Sequence, residues 1–160
     1  IFKLTDASWL QEVLAALPKR FPAKAAVILK FDAALAQKIY GGSDMFLMPS
    51  HFEPCGLGQL IAMRYGSVPV VRAIGGLADT VTDVATRRDL RQAKGNGFTF
   101  ADYTGDAFWA ALERALDTFR DKKTWRSLQQ RGMKADWSWD SSAKKYEDLY
   151  RKAIEFHKST

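Results

Sequence analysis

The alternation of short apolar runs with glycine-rich turns constrains the fold of this chain most strongly. An apolar run, Met45–Met48, precedes the sequence PSHFEPCGLGQL, and an apolar, helix-like run over Leu57–Tyr65 follows. A second apolar run, VPVV from Val68, leads into Gly75-Gly76 and a further helix-like stretch. Runs of this length, bounded by turn residues, are typical of buried parallel strands. The alternation therefore predicts an α/β fold with a parallel, doubly wound sheet.

The turn after the first of these strands is the place where we expect a ligand to bind. It carries a carboxylate, Glu53, and two glycines, Gly56 and Gly58, between a strand and a helix. In an open α/β sheet, ligands bind in the crevice at the carboxyl ends of the strands. The first turn of the following helix offers free N–H groups and a positive dipole end, which favour phosphate. The sequence thus predicts a phosphate-binding turn.

Length and composition indicate a globular protein. The chain has 160 residues, 47% hydrophobic and 26% charged, which suits a single domain over residues 1–160 with a real core. Its apolar runs are far shorter than a membrane span, and no signal or transit pattern is present. Because the chain opens on Ile1 rather than Met, we expect it to be part of a longer protein. Its one cysteine, Cys55, excludes an internal disulfide and fits a reducing compartment.

The charge pattern argues against a nucleic-acid partner. The net charge is +6, but the basic residues occur as scattered pairs interleaved with acids. Such a pattern is typical of solvated helix faces, and no stripe of bases alternates with aromatics. No cluster of His, Cys and Asp has the spacing of a metal site, so we expect no metal. A basic nucleic-acid binder remains a weak alternative.

Apolar periodicity and turn residues predict the other elements. The last third should be helical, with apolar stripes starting at Phe108, Trp125 and Ala143 and serving as core or docking surface. Thr104 should cap the first of these helices and Asp140 the last, while Trp137 and Trp139 should be packing anchors. Further upstream, we predict a helix over Asp6–Lys19 capped by Asp6 and stopped by Pro22, a strand over Ala25–Lys30, a helix over Asp32–Tyr40 closed by Gly41-Gly42, a helix near Leu77–Val84, a loop over Thr86–Asn96 and an edge strand over Gly97–Phe100.

Six short stretches of the chain form a recognisable series: YGGSD from Tyr40, HFEPCGL from His51, MRYGSVPVV from Met63, GGLADTV from Gly75, GNGFTF from Gly95 and DWSWD from Asp136. In this order they resemble starch and glycogen synthases of glycosyltransferase family 5. The similarity covers about residues 25–155 and is nearest to soluble starch synthases III and IV and their bacterial relatives, whereas residues 1–24 match poorly.

The resemblance implies a retaining glucosyltransferase of the GT-B type, which moves glucose from ADP-glucose to the non-reducing end of an α-1,4-glucan. The chain would be part of the C-terminal, nucleotide-binding domain: a Rossmann-like parallel sheet with helices on both faces and a helical C-terminal tail. Residues 140–157 would form a helix that docks on an N-terminal domain outside the chain, and that domain would hold the glucan. The chain alone should then be inactive. The location would be the plastid stroma in a plant or alga and the cytoplasm in a bacterium.

The resemblance also assigns Glu53 the catalytic position. The matching glutamate lies beside the donor glucose and stabilises charge near the anomeric carbon; the alternative is a residue that merely caps the turn. A single prominent carboxylate does not support a glycosidase-like acid/base pair. Gly56, Leu57 and Gly58 would offer backbone N–H groups to the phosphates, although the position of Gly58 is often Thr in the family. Cys55 has no base placed to activate it and should be a buried residue that donates at most its N–H.

Other donor contacts carry explicit alternatives. Phe31 matches an aromatic position that stacks on adenine, but it could equally pack in the core. Gly75, Gly76 and Leu77 would line the sugar side of the site, or would form a purely structural turn. Arg64 and Arg72 could be phosphate neighbours or surface charges. For the whole chain, the alternative to the enzyme is a non-catalytic, GT-B-derived structural or interaction subunit.

Overall fold

A computed structural model describes residues 8–30, 32–84 and 95–158, and these fall into two compact units that divide between Ile39 and Tyr40. Helix α1 spans Ser8–Arg20 in the first unit. It confirms the predicted helix, although Asp6, the expected cap, lies outside the described residues. Helix α2 spans Ala33–Gly42, and the Asp32 carboxylate caps it by accepting the Leu35 N–H over 2.9 Å. That the chain forms one domain stays a prediction.

The predicted strand over residues 25–30 is wrong. In the described chain this segment forms no strand, and the side chains of Ile28 and Leu29 are largely exposed. The residues before it form a tight turn, in which the N–H groups of Lys24 and Ala25 donate to the carbonyl oxygen of Phe21. An apolar run becomes a strand only where a neighbouring strand supplies backbone partners. The described part of the chain offers none to this segment.

The second unit is built on a parallel sheet, as predicted. Its strands are β1 (Met45–Met48), β2 (Val68–Arg72) and β3 (Phe98–Phe100), in the spatial order β1-β2-β3. Both pairs are parallel, with Met48 opposite Val71 and Val70 opposite Phe98. β2 is the central and most deeply buried strand, and β3 takes the edge position that the sequence indicates.

Five helices complete the second unit in the described chain: α3 (Gly58–Arg64), α4 (Gly76–Thr80), α5 (Gly105–Arg120), α6 (Lys122–Lys134) and α7 (Trp139–Lys158). Helix α4 is shorter than predicted, because Val81 is extended and the chain then pairs Asp83 with Gly97 in an isolated bridge. Thr104 caps α5 as expected, accepting the Ala107 N–H over 3.2 Å. The predicted loop over residues 86–96 lies mostly outside the described residues.

Helices cover both faces of the sheet. One core cluster joins Val70 and Phe98 to Ala115 of α5 and Trp125 of α6. A second cluster contains Val71, the next residue along β2, packed with Leu77 of α4 and with Met48 and Val81. Because successive strand residues point to opposite faces, the two clusters lie on opposite sides of the sheet. This confirms the predicted fold class, a Rossmann-like α/β sheet with helices on both faces.

The C-terminal helical tail is present, and none of its residues is buried within the described chain. Helix α7 begins at Trp139, whose side chain is 83% exposed, and the preceding Trp137 is 44% exposed. The prediction that these two tryptophans are packing anchors is therefore wrong for Trp139, which has no core around it in the described chain. Among the described residues, no helix is both long and apolar enough to cross a membrane.

Candidate functional site

Two turns meet at the carboxyl edge of the sheet. The first turn (residues 49–57) follows β1, and the second turn (residues 73–76, ending at the first residue of α4) follows the neighbouring strand β2. Gly76 joins them by donating its N–H to the Pro54 carbonyl oxygen over 3.2 Å. A Cβ at Gly75 would lie closer than 3.0 Å to the Glu53 carbonyl oxygen. A Cβ at Gly76 would lie equally too close to the Cys55 carbonyl oxygen. Only glycines allow this approach, so the pair has a structural role in addition to any contact with a ligand.

Glu53 lies half-buried in the first turn. Its carboxylate has no hydrogen-bond or ion-pair partner among the described residues. The N-cap residue of α3 is Leu57, and no side chain in the described ranges caps this helix. The structure thus gives no support to the alternative in which Glu53 merely caps the turn. A half-buried carboxylate without a partner is available to a bound ligand.

The first turn of α3 presents unused backbone donors. The N–H groups of Gly58, Gln59 and Leu60 have no acceptor in the described part of the chain. The start of α4 differs, because there the N–H groups of Gly76, Leu77 and Ala78 all donate to nearby carbonyl oxygens. An anion at this edge of the sheet would therefore find its free donors at α3 and not at α4.

The other predicted donor-site residues occupy different environments. Leu57 is exposed, whereas the Leu77 side chain is fully buried in the second core cluster, so it could face a ligand only through its backbone. Cys55 is exposed, and the prediction that it is buried is wrong: the tight approach of Gly76 engages its backbone and leaves its thiol outside. Phe31 lies outside the described residues.

Local packing explains glycine at position 58. A Cβ there would lie 3.3 Å from Cε1 of Phe46 and 3.4 Å from the hydroxyl oxygen of Tyr40. Both rings lie beneath the start of α3, 5.0 Å apart between centroids, and burial raises the pKa of the Tyr40 hydroxyl. The two aromatic residues thus fill the space that a larger residue 58 would need.

Sequence reasoning missed Gln59. Its side chain is fully buried, and its Nε2 donates to the carbonyl oxygen of Gly56 over 2.7 Å and to the Thr80 hydroxyl over 3.0 Å. A weaker contact of 3.4 Å reaches the Cys55 carbonyl oxygen. The Thr80 hydroxyl in turn donates to the Gly76 carbonyl oxygen over 2.6 Å. The signal that could have found it is an amide side chain at a core position of an otherwise apolar helix.

Arg72 connects the segments that follow the three strands at the carboxyl edge of the sheet. Its guanidinium donates to the carbonyl oxygens of His51 over 2.8 Å and Ala101 over 3.1 Å, with a weaker contact to Ser50. The guanidinium carbon also lies 5.2 Å from the centroid of the Tyr103 ring. The His51 ring packs on the same Tyr103 ring in an edge-on arrangement, with 4.7 Å between the centroids. These contacts tie the segments after β1 and β3 to the end of β2. They account for Arg72 as a structural residue beside the two turns.

Arg64 lies away from the turns, at the C-terminal end of α3. It donates to the Met133 carbonyl oxygen over 2.8 Å. It also lines a groove of about 570 Å³ between α3 and residues 134–138, to which neither Glu53 nor the glycines of the two turns contribute. Since the N–H groups of Gly58, Gln59 and Leu60 are at the other end of the helix, Arg64 is not a neighbour of the first turn.

Within the described chain, no group of three or more His, Cys, Asp or Glu side chains is placed to hold a metal ion. The expectation that no metal takes part stays a prediction. Among the residues that the structure describes, it brings together the Glu53 carboxylate without a partner, three N–H groups without an acceptor, and two glycine-containing turns in backbone contact.

A family model described as "Glycosyl transferases group 1" matches residues 21–132 of the chain. The chain belongs to this glycosyltransferase family. The match includes all three strands and both turns, so the edge of the sheet described above is part of the family domain.

Several relatives of this glycosyltransferase chain are glycogen synthases. It is 56% identical over 143 residues to the glycogen synthase of Syntrophotalea carbinolica, covering 89% of this chain and 29% of the relative. It is 58% identical over 133 residues to glycogen synthase 2 of Geobacter sulfurreducens, covering 83% of this chain and 27% of the relative. The chain thus spans less than a third of the length of these curated relatives.

A solved structure shares the fold. The catalytic domain of starch synthase IV from Arabidopsis thaliana, bound to ADP and acarbose, superposes with a TM-score of 0.75 at 41% identity. The match covers 92% of this chain and 30% of that chain. The expected resemblance to part of a GT-B glycosyltransferase is therefore confirmed.

Proposed function

We propose that this glycosyltransferase chain is the donor-binding part of an enzyme that transfers glucose from ADP-glucose to an α-1,4-glucan with retention of configuration. One observation carries the proposal: the unpaired Glu53 carboxylate lies in the turn that leads into the free N–H groups of α3, in a chain 56% identical to a glycogen synthase. The starch synthase IV structure, which was solved with ADP, supports the nucleotide.

The geometry suits stabilisation of a departing diphosphate. In the proposed reaction, the bond between the anomeric carbon and the β-phosphate oxygen breaks, and a bond to an acceptor hydroxyl oxygen forms. The hydroxyl proton leaves with the diphosphate. The N–H groups of Gly58, Gln59 and Leu60 would meet the charge that develops on the phosphates. Glu53 would face the positive charge that develops at the anomeric carbon, as a negative group that needs no second carboxylate.

Other donor contacts follow the same arrangement. Gly56 and Leu57 would add backbone N–H groups to the phosphate side, and exposed Cys55 would add its N–H. Gly75, Gly76 and Leu77 would line the sugar side, the last two through their peptide backbone. Phe31 would stack on the adenine.

The glucan acceptor would be held by protein outside residues 1–160, and α7 would dock there. The acarbose bound to starch synthase IV supports a saccharide acceptor.

Because the curated relatives above are bacterial, we favour the cytoplasm over the plastid. The alternative of a non-catalytic subunit is not favoured, since the chain retains Glu53 and both turns at 56% identity to an enzyme.

Calorimetric titration of the 160-residue chain tests the proposal with three probes. ADP should bind saturably and more tightly than UDP, because the base is recognised as well as the phosphates. Adenosine, which lacks the diphosphate, should bind much more weakly than ADP if the N–H groups of α3 hold the phosphates. No ADP binding, or a preference for UDP, would contradict the proposed donor site.

A further inference from the structure

Gln59 is a buried amide side chain in the first turn of α3, with an exposed fraction of 0%. It touches both turns of the candidate site: the first through the Gly56 carbonyl oxygen and the second through Thr80, whose hydroxyl donates to Gly76. A single carboxamide therefore joins the loop after β1 to the loop after β2.

The contact with Gly56 fixes the direction of the neighbouring N–H groups. In a trans peptide unit, the C=O and N–H groups point in opposite directions. Because Nε2 of Gln59 holds the Gly56 carbonyl oxygen at 2.7 Å, the N–H of Leu57 in the same unit must point away from the buried carboxamide. The 3.4 Å contact to the Cys55 carbonyl oxygen likewise directs the N–H of Gly56, in the same peptide unit, away from the carboxamide.

The backbone of the first turn is shaped around this side chain. Gly56 has a φ of +67°, and a Cβ there would lie 2.6 Å from Oε1 of Gln59. Glycine is needed both for the dihedral angle and for the space. The carboxamide and the glycine thus form a matched pair within the turn.

The amide at this position leaves one of its own atoms without a partner in the described chain. The Oε1 atom of Gln59 is buried and has no hydrogen-bond partner among the described residues. An apolar residue of similar size would avoid this unpaired acceptor, but it would also remove the Nε2 donor from the Gly56 carbonyl oxygen and the Thr80 hydroxyl. What the amide adds is an N–H donor for the carbonyl oxygens of Gly56 and Cys55. Holding these carbonyl oxygens fixes the direction of the N–H groups in the same peptide units.

We propose that Gln59 is the positioning residue for the donor diphosphate. Its carboxamide orients the peptide units of the first turn so that the N–H groups of Gly56 and Leu57 face the phosphates, and it couples the second turn through Thr80. This inference rests on the proposed function, since it names the residue that orients that same donor site.

The test compares three substitutions by calorimetry with ADP, and by steady-state kinetics in the full-length natural chain. Gln59→Glu keeps the shape but sets a carboxylate against the carbonyl oxygens, so the Kd for ADP should rise about 10-fold. Thr80→Val keeps the shape and removes the hydroxyl link, with an expected rise of about 3-fold. Gln129→Glu is the matched control: Gln129 donates to the Gly66 carbonyl oxygen over 2.8 Å at the far end of α3, and the Kd should not change.

The split between kinetic constants separates positioning from folding. A positioning role raises the KM for ADP-glucose in the Gln59 and Thr80 variants, whereas partial unfolding lowers the apparent kcat and leaves the KM unchanged. An unchanged Kd and KM in folded Gln59→Glu would overturn the inference. If that variant does not fold, Thr80→Val decides in the same way. Failure of the unsubstituted chain to bind ADP would instead contradict the proposed function.

Discussion

Gly76 donates its backbone N–H to the carbonyl oxygen of Pro54 over 3.2 Å, and its Cα faces the first turn with no room for a side chain. The two loops that follow neighbouring strands are thereby fixed against each other through their backbones. Such contact between main chains does not depend on side-chain rotamers, so it fixes the positions of the two turns relative to each other.

Gly76→Ala should therefore separate the two turns. The new methyl group would meet backbone atoms of Cys55, which cannot move aside as a flexible side chain can. We expect the free energy of unfolding to fall by about 3 kcal/mol, measured by urea denaturation.

Gly105→Ala is the control for this substitution. A Cβ at Gly105 would meet nothing within 4 Å, and alanine suits the first residue of helix α5 better than glycine does. This variant should be at least as stable as the unsubstituted chain. Equal stability of the two variants would show that the contact between the turns does not require glycine at position 76.

Glu53→Ala in the full-length natural chain should lower kcat by about 100-fold, because the group proposed to face the anomeric carbon is lost. The Kd for ADP should change little, since the carboxylate bonds no backbone group of the first turn. Glu113→Ala, at an exposed position of α5, is the matched control and should leave kcat unchanged. A collapse of ADP binding in Glu53→Ala would make Glu53 a structural residue.

The sequence was sufficient to predict the elements that local patterns encode. β1, β2 and α3 follow from apolar runs bounded by glycines, and Thr104 was identifiable as a cap because capping depends on residues only three positions apart. Residues 25–30 show the limit of this reasoning. Their composition favours a strand, but pairing depends on a partner that the local sequence does not specify.

The place of the candidate residues in the fold could be predicted from the sequence, but their supporting contacts could not. Glu53, Gly56 and Gly58 lie where the sequence indicates, after strand β1 and at the start of α3. The roles of Gln59 and Arg72 depend on residues far along the chain, such as Thr80 and Ala101, and no periodicity reports such contacts. The exposure of Cys55 depends in the same way on the approach of the second turn.

Arg114 should contribute substantially to stability at the edge of the sheet. Its guanidinium pairs with Asp83 at 3.1 Å and also donates to the carbonyl oxygens of Val84 and Thr99. Arg114→Met would remove the guanidinium from all three acceptors, of which Asp83 alone keeps another donor in the described chain, the Thr99 N–H. We expect the free energy of unfolding to fall by about 2 kcal/mol.

Arg120→Met provides the comparison for Arg114→Met. Arg120 pairs with Asp117 at 2.7 Å, but both side chains are largely exposed. Its loss should cost less than about 0.5 kcal/mol in the same urea denaturation. Equal losses in the two variants would contradict the view that the additional carbonyl contacts make Arg114 important.

Asp121 should make stability depend on pH in the acid range. As the N-cap of α6, its carboxylate accepts the Thr124 hydroxyl over 2.6 Å and the N–H groups of Thr124 and Lys123 over 3.2 Å. These bonds, led by that of the Thr124 hydroxyl, hold the pKa of Asp121 below the ordinary value of an aspartate. A lowered pKa in the folded state means that the unfolded chain binds the proton more tightly, so the contribution is complete above about pH 4 and is lost as the pH falls through the folded pKa.

Asp121→Asn removes this titration, because the amide oxygen of asparagine caps the helix equally at every pH. Urea denaturation at pH 7 and pH 3 should therefore show a smaller acid-induced loss of stability in Asp121→Asn than in the unsubstituted chain. Asp148→Asn, on the exposed helix α7, removes an aspartate that caps no helix, and its acid-induced loss should match that of the unsubstituted chain. Identical losses in both variants would show that the cap does not contribute to the acid sensitivity of the fold.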